Sequence, residues 1–214
     1  MKKKINIKIE YFCLIFISTI LFRCQGNIQE NKDCSRFANE VYKEVSDTSL
    51  AKGAFDYQKI LLERFAETSV KGLNYEAYHL QFYSSHGYGK SVKFENKNSG
   101  YSIAVKCRTK DDWLPDCKEY EIGIDKEEWN ELECMIYEFN FWTEEDFKTN
   151  KDVLDGYVYI LEGNRPEAKK CNRKTYKLVA RGSPRYDKIG ALCSYILEYE
   201  DQLKFKYEQL NKIK

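Results

Sequence analysis

The chain has 214 residues, of which 43% are hydrophobic and 32% are charged, and its formal net charge is +1. This balance excludes a disordered chain, and the length suits one domain with a real core rather than two large domains. Seventeen tyrosines are present, which fits strands with half-exposed positions, because tyrosine has an apolar ring and a polar tip.

The first 24 residues are typical of a secretory signal peptide. They begin with a basic head of four lysines, Lys2, Lys3, Lys4 and Lys8. An almost unbroken apolar run then extends from Tyr11 to Phe22. This run is too short for a membrane-spanning helix, which needs about 20 residues. We therefore expect residues 1–24 to direct export and to lie outside the fold.

The apolar run stops at Cys24 and a polar stretch follows, a pattern that resembles the lipobox of bacterial lipoproteins. The resemblance implies lipidation of Cys24 and a protein anchored to a bacterial membrane, in the periplasm or at the surface. In the lipobox the residue before the cysteine is small, whereas here it is Arg23. Ordinary cleavage near Gly26 is the alternative, and it also exports the chain.

Removal of residues 1–24 leaves a mildly acidic chain. The segment holds five basic residues and one acidic residue, so the remainder has a net charge near −3. Phosphate binding needs a basic surface, and we therefore expect no nucleic acid as a partner. The expected partner is another protein, and we expect membrane contact through the lipid anchor alone.

Six cysteines remain after export, Cys34, Cys107, Cys117, Cys134, Cys171 and Cys193. An even number in an exported chain suggests disulfides, although the number does not assign the pairs. Cys107 ends one predicted strand and Cys117 precedes the next, so a hairpin should bring this pair together. No Cys-x-x-Cys spacing occurs and only His79 and His86 could add imidazole, so we expect neither a zinc site nor another cofactor.

Residues 25–74 are predicted to form a polar tether, over residues 25–33, followed by helices. The helical part shows apolar residues at helical spacing, at Phe37, Val41, Val45, Tyr57, Ile60, Leu61 and Phe65. We place a break between two helices at Lys52-Gly53, and Asp56 is the expected cap of the second helix.

Residues 75–200 are the predicted core domain. Alternating polar and apolar residues predict four strands, over residues 75–83, 91–95, 101–107 and 120–124. Short turns between them indicate an antiparallel meander with one face buried.

A helix should follow the fourth strand. Asp125 and Glu128 have the spacing of a capping box at its start. Its apolar face is expected to contain Trp129, Leu132, Ile136 and Phe139. Phe141 and Trp142 should form a bulky plug after the helix, and residues 143–152 read as an acidic loop.

A β-hairpin is the most marked feature of the second half of the chain. Aromatic and β-branched runs at residues 156–161 and 176–180 flank a turn at residues 163–166. A last helix follows and extends as a charged tail over residues 201–214. The order of elements shows no βαβ alternation. It predicts an α+β fold with an antiparallel meander sheet of about six strands, helices packed on one face, and additional N-terminal helices.

Short dispersed motifs carry a resemblance across residues 75–199. They are Glu128-Trp129, Phe141-Trp142, Asp155-Gly156, Leu161-Glu162-Gly163, Tyr176 with Val179, and Arg181 with Ser183-Pro184. Together they resemble a family of exported bacterial proteins of similar size that has no known activity. The resemblance supports the boundaries of the core domain and implies no catalytic residue.

The strongest polar candidates are Glu162 and Arg181, near matching ends of the hairpin. We expect them to form an ion pair that fixes the hairpin, joined by Asp155. The functional alternative is a carboxylate–guanidinium site for a polar ligand. Trp113, in an Asp-rich loop, is a candidate platform for stacking a sugar.

The two histidines could act as general bases, but no serine or cysteine has a recognisable nucleophile setting such as Gly-x-Ser-x-Gly. We therefore assign no catalytic residue. The leading hypothesis is an envelope-anchored, non-enzymatic module that binds another protein. The alternatives are a hydrolase that acts on envelope material through Glu162, Asp155 and a histidine, and a sugar-binding module.

Overall fold

The computed structural model describes residues 34–37, 40, 48–108, 118–149, 156–182 and 187–212. Within these ranges the chain forms seven strands, three α-helices and two short 3-10 helices. The strands are β1 (Glu76–Ser84), β2 (Gly89–Lys97), β3 (Gly100–Arg108), β4 (Tyr120–Ile124), β5 (Phe147–Thr149), β6 (Tyr157–Asn164) and β7 (Tyr176–Gly182). The α-helices are α1 (Thr48–Phe65), α2 (Lys126–Glu138) and α3 (Lys188–Lys212), and the 3-10 helices are Cys34–Phe37 and Pro166–Cys171.

The strands form one open sheet in the order β4-β3-β2-β1-β6-β7-β5. Six strands pair antiparallel, and β5 alone runs parallel, beside β7 at the edge. The predicted α+β fold with an antiparallel meander is therefore confirmed. The prediction of a loop over residues 143–152 was wrong in part, because β5 lies within it. Phe147 anchors this strand, since its ring is buried among apolar side chains that include Leu61 and Leu178.

One face of the sheet is apolar and is covered by α2 and α3. Asp125 caps α2 in the predicted capping box with Glu128. The buried apolar residues of α2 are Trp129, Leu132 and Ile136, and those of α3 include Ile189, Leu192, Ile196, Tyr199 and Leu203. Truncation of one such side chain to alanine typically costs about 2–5 kcal/mol, so this layer holds the fold together.

The predicted aromatic plug after α2 is confirmed. Phe141 and Trp142 are both buried, and they pack against Tyr78 on β1. A Cβ at Gly163 would lie 2.6 Å from the Phe141 ring, so only glycine fits opposite the plug.

The other face of the sheet is covered by α1. The predicted break at Lys52-Gly53 was wrong, because α1 runs without interruption from Thr48 to Phe65. Nothing lies within 4 Å of a Cβ at Gly53, so glycine there costs only about 1 kcal/mol of helix propensity and does not end the helix. Asp56 consequently lies inside the helix and is not its cap.

The C-terminal end of α1 is fixed to the sheet by cations. Lys106 donates to the backbone oxygen of Ala66 at 2.9 Å, and Arg108 donates to that of Arg64 at 3.1 Å. Helix carbonyls without intrahelical partners favour such cations. Phe65 is fully buried beside them and holds the end of the helix against the sheet.

Disulfides are confirmed as a feature of the chain. Cys34 and Cys171 are bonded to each other. Cys107 and Cys134 each take part in a disulfide as well, and neither pairing is assigned within the described residues. Cys117 lies outside the described residues, so the pair with Cys107 stays a prediction. Cys193 is free and buried.

Three other predicted positions, Cys24, Trp113 and Asp155, lie outside the described residues. None of the helices in the described ranges combines the length and apolar character needed to cross a bilayer.

Candidate functional site

Glu162 and Arg181 lie on opposite faces of the sheet, so the predicted ion pair between them was wrong. Arg181 stands opposite Tyr159 in the register, whereas Glu162 stands opposite Leu178. Positions 159 and 162 are an odd number of residues apart, and side chains alternate between faces along a strand. The matching ends of the two strands therefore do not bring these side chains together.

Arg181 has a structural position on the apolar face. It is buried, and its Nε donates to Asp187 at 2.8 Å. Its two Nη atoms donate to the backbone oxygens of Glu145 and Asp146, at 2.6 and 3.0 Å. Asp187 also accepts from the backbone nitrogen of Ile189, so Arg181 fastens the start of α3 to the segment before β5.

Glu162 belongs to a row of polar side chains on the face beneath α1. The register aligns Lys93 on β2, His79 on β1 and Glu162 on β6. Ser91 lies on the same face one step along β2, opposite Gln81. Cross-strand neighbours on one face are about 5 Å apart, so these side chains necessarily meet.

The central contacts of this row join Ser91, His79 and Glu162. Ser91 Oγ lies 2.7 Å from His79 Nε2, which is hydrogen-bond distance. His79 Nδ1 lies 3.5 Å from Glu162 Oε1, which is too long for a good hydrogen bond but close enough for electrostatic attraction. A hydroxyl, an imidazole and a carboxylate therefore stand in line across three neighbouring strands.

Glu162 has two further partners on its other oxygen. Ser69 and Tyr176 both donate to Oε2, the tyrosine at 3.1 Å. Burial raises the pKa of Glu162, but the nearby His79 ring and the Ser69 hydroxyl outweigh burial, so its pKa is below the ordinary value of 4.5. Burial and the Glu162 charge raise the pKa of Tyr176. We conclude that Glu162 is a buried carboxylate that its neighbours keep ionised.

Two lysines, Lys93, which is buried, and Lys106, which is half-buried, complete the polar row. Lys93 donates to Glu67 at 2.6 Å, and Lys106 lies 3.0 Å from the same carboxylate. Gln81 is fully buried beside Ser91, and its amide has no hydrogen-bond partner among the described residues.

Access decides what this arrangement can do. Ser91 is 1% exposed, and His79 and Glu162 are 0% exposed. The line has the order of a nucleophile, a base and an orienting acid. The side chains nevertheless face α1 and the segment that follows it, so solvent does not reach the serine oxygen in this structure.

The sequence pattern predicted His79 on a strand, and His79 was a candidate base. Nothing in the pattern indicated Ser91 as its neighbour. The only signal was strand alternation, which becomes informative only once the register of β1 and β2 is known. His86 lies in an exposed turn, away from the polar row. Arg165, which the sequence assigned to a turn, is fully buried and bonded to Glu40.

No group of three or more potential metal ligands occurs within the described ranges. No family model, curated protein or solved structure matches the chain.

Proposed function

We propose that this chain is an envelope-anchored module that binds another protein and catalyses no reaction. The burial of Ser91, His79 and Glu162, at 0–1% exposure, is the observation that carries the proposal. These are the side chains best suited to acid–base or nucleophilic work, and they are used to join three strands to one another and to the segment after α1 through Ser69. Since these groups have structural contacts, we place the function of the chain in recognition by its surface.

The C-terminal end of α3 supplies an apolar surface for recognition. Leu203 is the last residue of α3 in the buried core, and Tyr207 and Leu210 follow it at helical spacing. Leu210 is 49% exposed and Phe205 is 64% exposed. At 3.6 residues per turn, Phe205 lies about 140° around α3 from Leu210, so these two exposed side chains border one broad surface and do not share a single stripe. With Lys204 next to Phe205, this surface suits a partner segment that is apolar with acidic flanks.

Site-specific crosslinking tests this proposal. A photoreactive amino acid at position 205 should crosslink one envelope protein, whereas the same group at Glu63, an exposed position on α1, should not. Leu210→Glu should abolish the crosslink because it adds an acidic charge to an apolar surface. Identical products from both positions, or no product from either, would contradict the proposal.

The Ser91–His79 distance of 2.7 Å favours one second candidate, a hydrolase of esters or amides. In this candidate His79 takes the proton from Ser91 while Oγ attacks the carbonyl carbon, and Glu162 orients the ring. The bond to the alcohol or amine then breaks, the leaving group takes the proton from His79, and water hydrolyses the acyl-serine. The mechanism requires α1 to move, because the serine is buried. The predicted hydrolase through Glu162, Asp155 and a histidine stays a prediction, because Asp155 lies outside the described residues.

Hydrolysis of p-nitrophenyl acetate separates the two candidates. Leu61→Ala loosens the packing of α1, because Leu61 is fully buried against the sheet. If the hydrolase candidate holds, Leu61→Ala should raise the turnover rate, and adding Ser91→Ala should remove the increase. Equal rates in the presence and absence of Ser91 would exclude the hydrolase candidate.

A further inference from the structure

Arg165 follows the last residue of β6, and neighbouring residues of the core domain hold its guanidinium. Arg165, Trp142 and Arg173 are called here the Arg165 clamp. Its side chain is 1% exposed, and its guanidinium carbon lies 3.7 Å from the centre of the Trp142 ring. Nε donates to the backbone oxygen of Lys174 at 3.0 Å, and Nη1 lies 3.5 Å from the Tyr137 hydroxyl. Because the core domain holds the guanidinium by its inner edge, the two Nη groups point in one fixed direction.

Residues 34–37 and 40, here called the strap, lie on the outer side of the clamp. Glu40 accepts from both Nη atoms of Arg165, at 2.5 and 2.7 Å, which is the two-bond geometry of carboxylate recognition. The Phe37 ring centre lies 4.8 Å from the guanidinium carbon. Arg173 donates to the backbone oxygen of Glu40 at 3.1 Å. The clamp thus contacts an aromatic ring, a carbonyl and a carboxylate within four residues.

These contacts are ones that a separate peptide can make. They come from a short stretch of chain, and the disulfide between Cys34 and Cys171 holds that stretch in place. The rest of the site, formed by Arg165, Trp142 and Arg173, belongs to the core domain. Trp142 also keeps a buried indole N–H that has no hydrogen-bond partner in the described part of the chain.

We propose that the Arg165 clamp is a peptide-binding site that the chain fills with its own strap and that a partner segment of the same chemistry can take over. The fitting partner is a segment with an aromatic residue three positions before a Glu or Asp, as Phe37 stands before Glu40. Such an exchange keeps Arg165 paired with a carboxylate in both states, which a buried charge requires. The clamp is separate from the α3 surface, so this inference and the proposed function can fail independently.

The test compares the wild-type chain with a full-length released chain that carries Cys34→Ser, Cys171→Ser and Glu40→Gln. The probe is a fluorescent peptide of residues 34–40 with serine in place of cysteine. Fluorescence anisotropy should show binding to the released chain, and binding at least about tenfold weaker to the wild type, whose own strap competes. Peptides with Phe37→Ala or Glu40→Gln should also bind about tenfold more weakly, because each loses a contact to the guanidinium.

Further variants make the result decisive. In the released chain, Arg165→Lys keeps the charge but loses the two-bond geometry, so it should weaken peptide binding about tenfold. Equal binding of the three peptides, or equal binding by wild-type and released chains, would overturn the proposal. Absence of binding to a released chain with a native circular dichroism spectrum would also overturn it. So would unfolding that the peptide does not reverse, since a binding site must persist when its occupant leaves.

Discussion

Glu162→Gln is the substitution that best tests the contacts assigned to the polar row. It keeps the shape of the side chain and one acceptor oxygen, but it removes the charge that faces His79 and accepts from Ser69 and Tyr176. A hydrogen bond to a charged group contributes about 1.5–3 kcal/mol, and glutamine retains part of this set. We therefore expect the free energy of unfolding to fall by about 2–3 kcal/mol. For a chain of this size, that lowers Tm by about 4–12 °C.

The coupling between substitutions is the sharper measurement. Glu162→Gln and Tyr176→Phe alter one hydrogen bond, so their effects should deviate from additivity by about 1 kcal/mol. Glu162→Gln and Arg181→Met act on opposite faces, so their effects should add within about 0.5 kcal/mol. Urea unfolding of the single and double variants gives both values. Coupling above 1 kcal/mol between Glu162 and Arg181 would refute the assigned faces.

Three further predictions concern glycine positions, the strap and acid stability. Gly163→Ala should destabilise the fold by about 1–3 kcal/mol, because its Cβ would lie 2.6 Å from the buried Phe141 ring. Gly53→Ala has open space around its Cβ and should stabilise the fold by about 0.4–1 kcal/mol. Urea unfolding measures both free energies. Replacing Cys34 and Cys171 by serine should destabilise by about 5 kcal/mol, given a sequence separation of 137, and an unchanged Tm would contradict the bond. Burial raises the pKa of Glu67, but two lysines outweigh it and bring it below 4.5. The ionised Glu67 carboxylate therefore stabilises the fold fully above about pH 4.5, and this contribution is lost as the pH falls through the lower folded-state pKa. In Glu67→Gln, Tm should consequently fall less steeply with acid than in the wild type.

Local signals were sufficient for most elements of the fold. The capping box at Asp125 and Glu128 fixed the start of α2, and β4 has the bounds that alternation predicted. Each of these signals lies within a few residues and depends on hydrogen bonds or periodicity of a single element. Gly53 misled the prediction because an exposed glycine weakens a helix without ending it.

The polar row was beyond sequence reasoning because it depends on the register and on both faces of the sheet. On β1 every residue from Ala77 to Gln81 is buried, so the strand shows no contrast between an inner and an outer face. The contact between His79 and Ser91 appears only when β1 and β2 are aligned. Without that alignment, a histidine and a serine 12 positions apart carry no signal.

The strap and the Glu162–Arg181 error have related causes. Cys34 and Cys171 are 137 positions apart, and only the tertiary fold brings them together. For the hairpin, the prediction assumed a short turn, whereas a 3-10 helix lies between β6 and β7. Without the register, matching strand ends did not reveal that Glu162 and Arg181 point to opposite faces.

Labelling with a fluorophosphonate tests most directly the central claim that Ser91, His79 and Glu162 have a structural role. The probe forms a covalent bond with a serine oxygen that a neighbouring base activates and that solvent can reach. The account predicts no label on Ser91 of the folded chain, by mass spectrometry of its peptides, under conditions that fully label a reference serine hydrolase. Stoichiometric labelling of Ser91 in the folded chain, lost in His79→Gln, would contradict the account and identify the chain as a hydrolase.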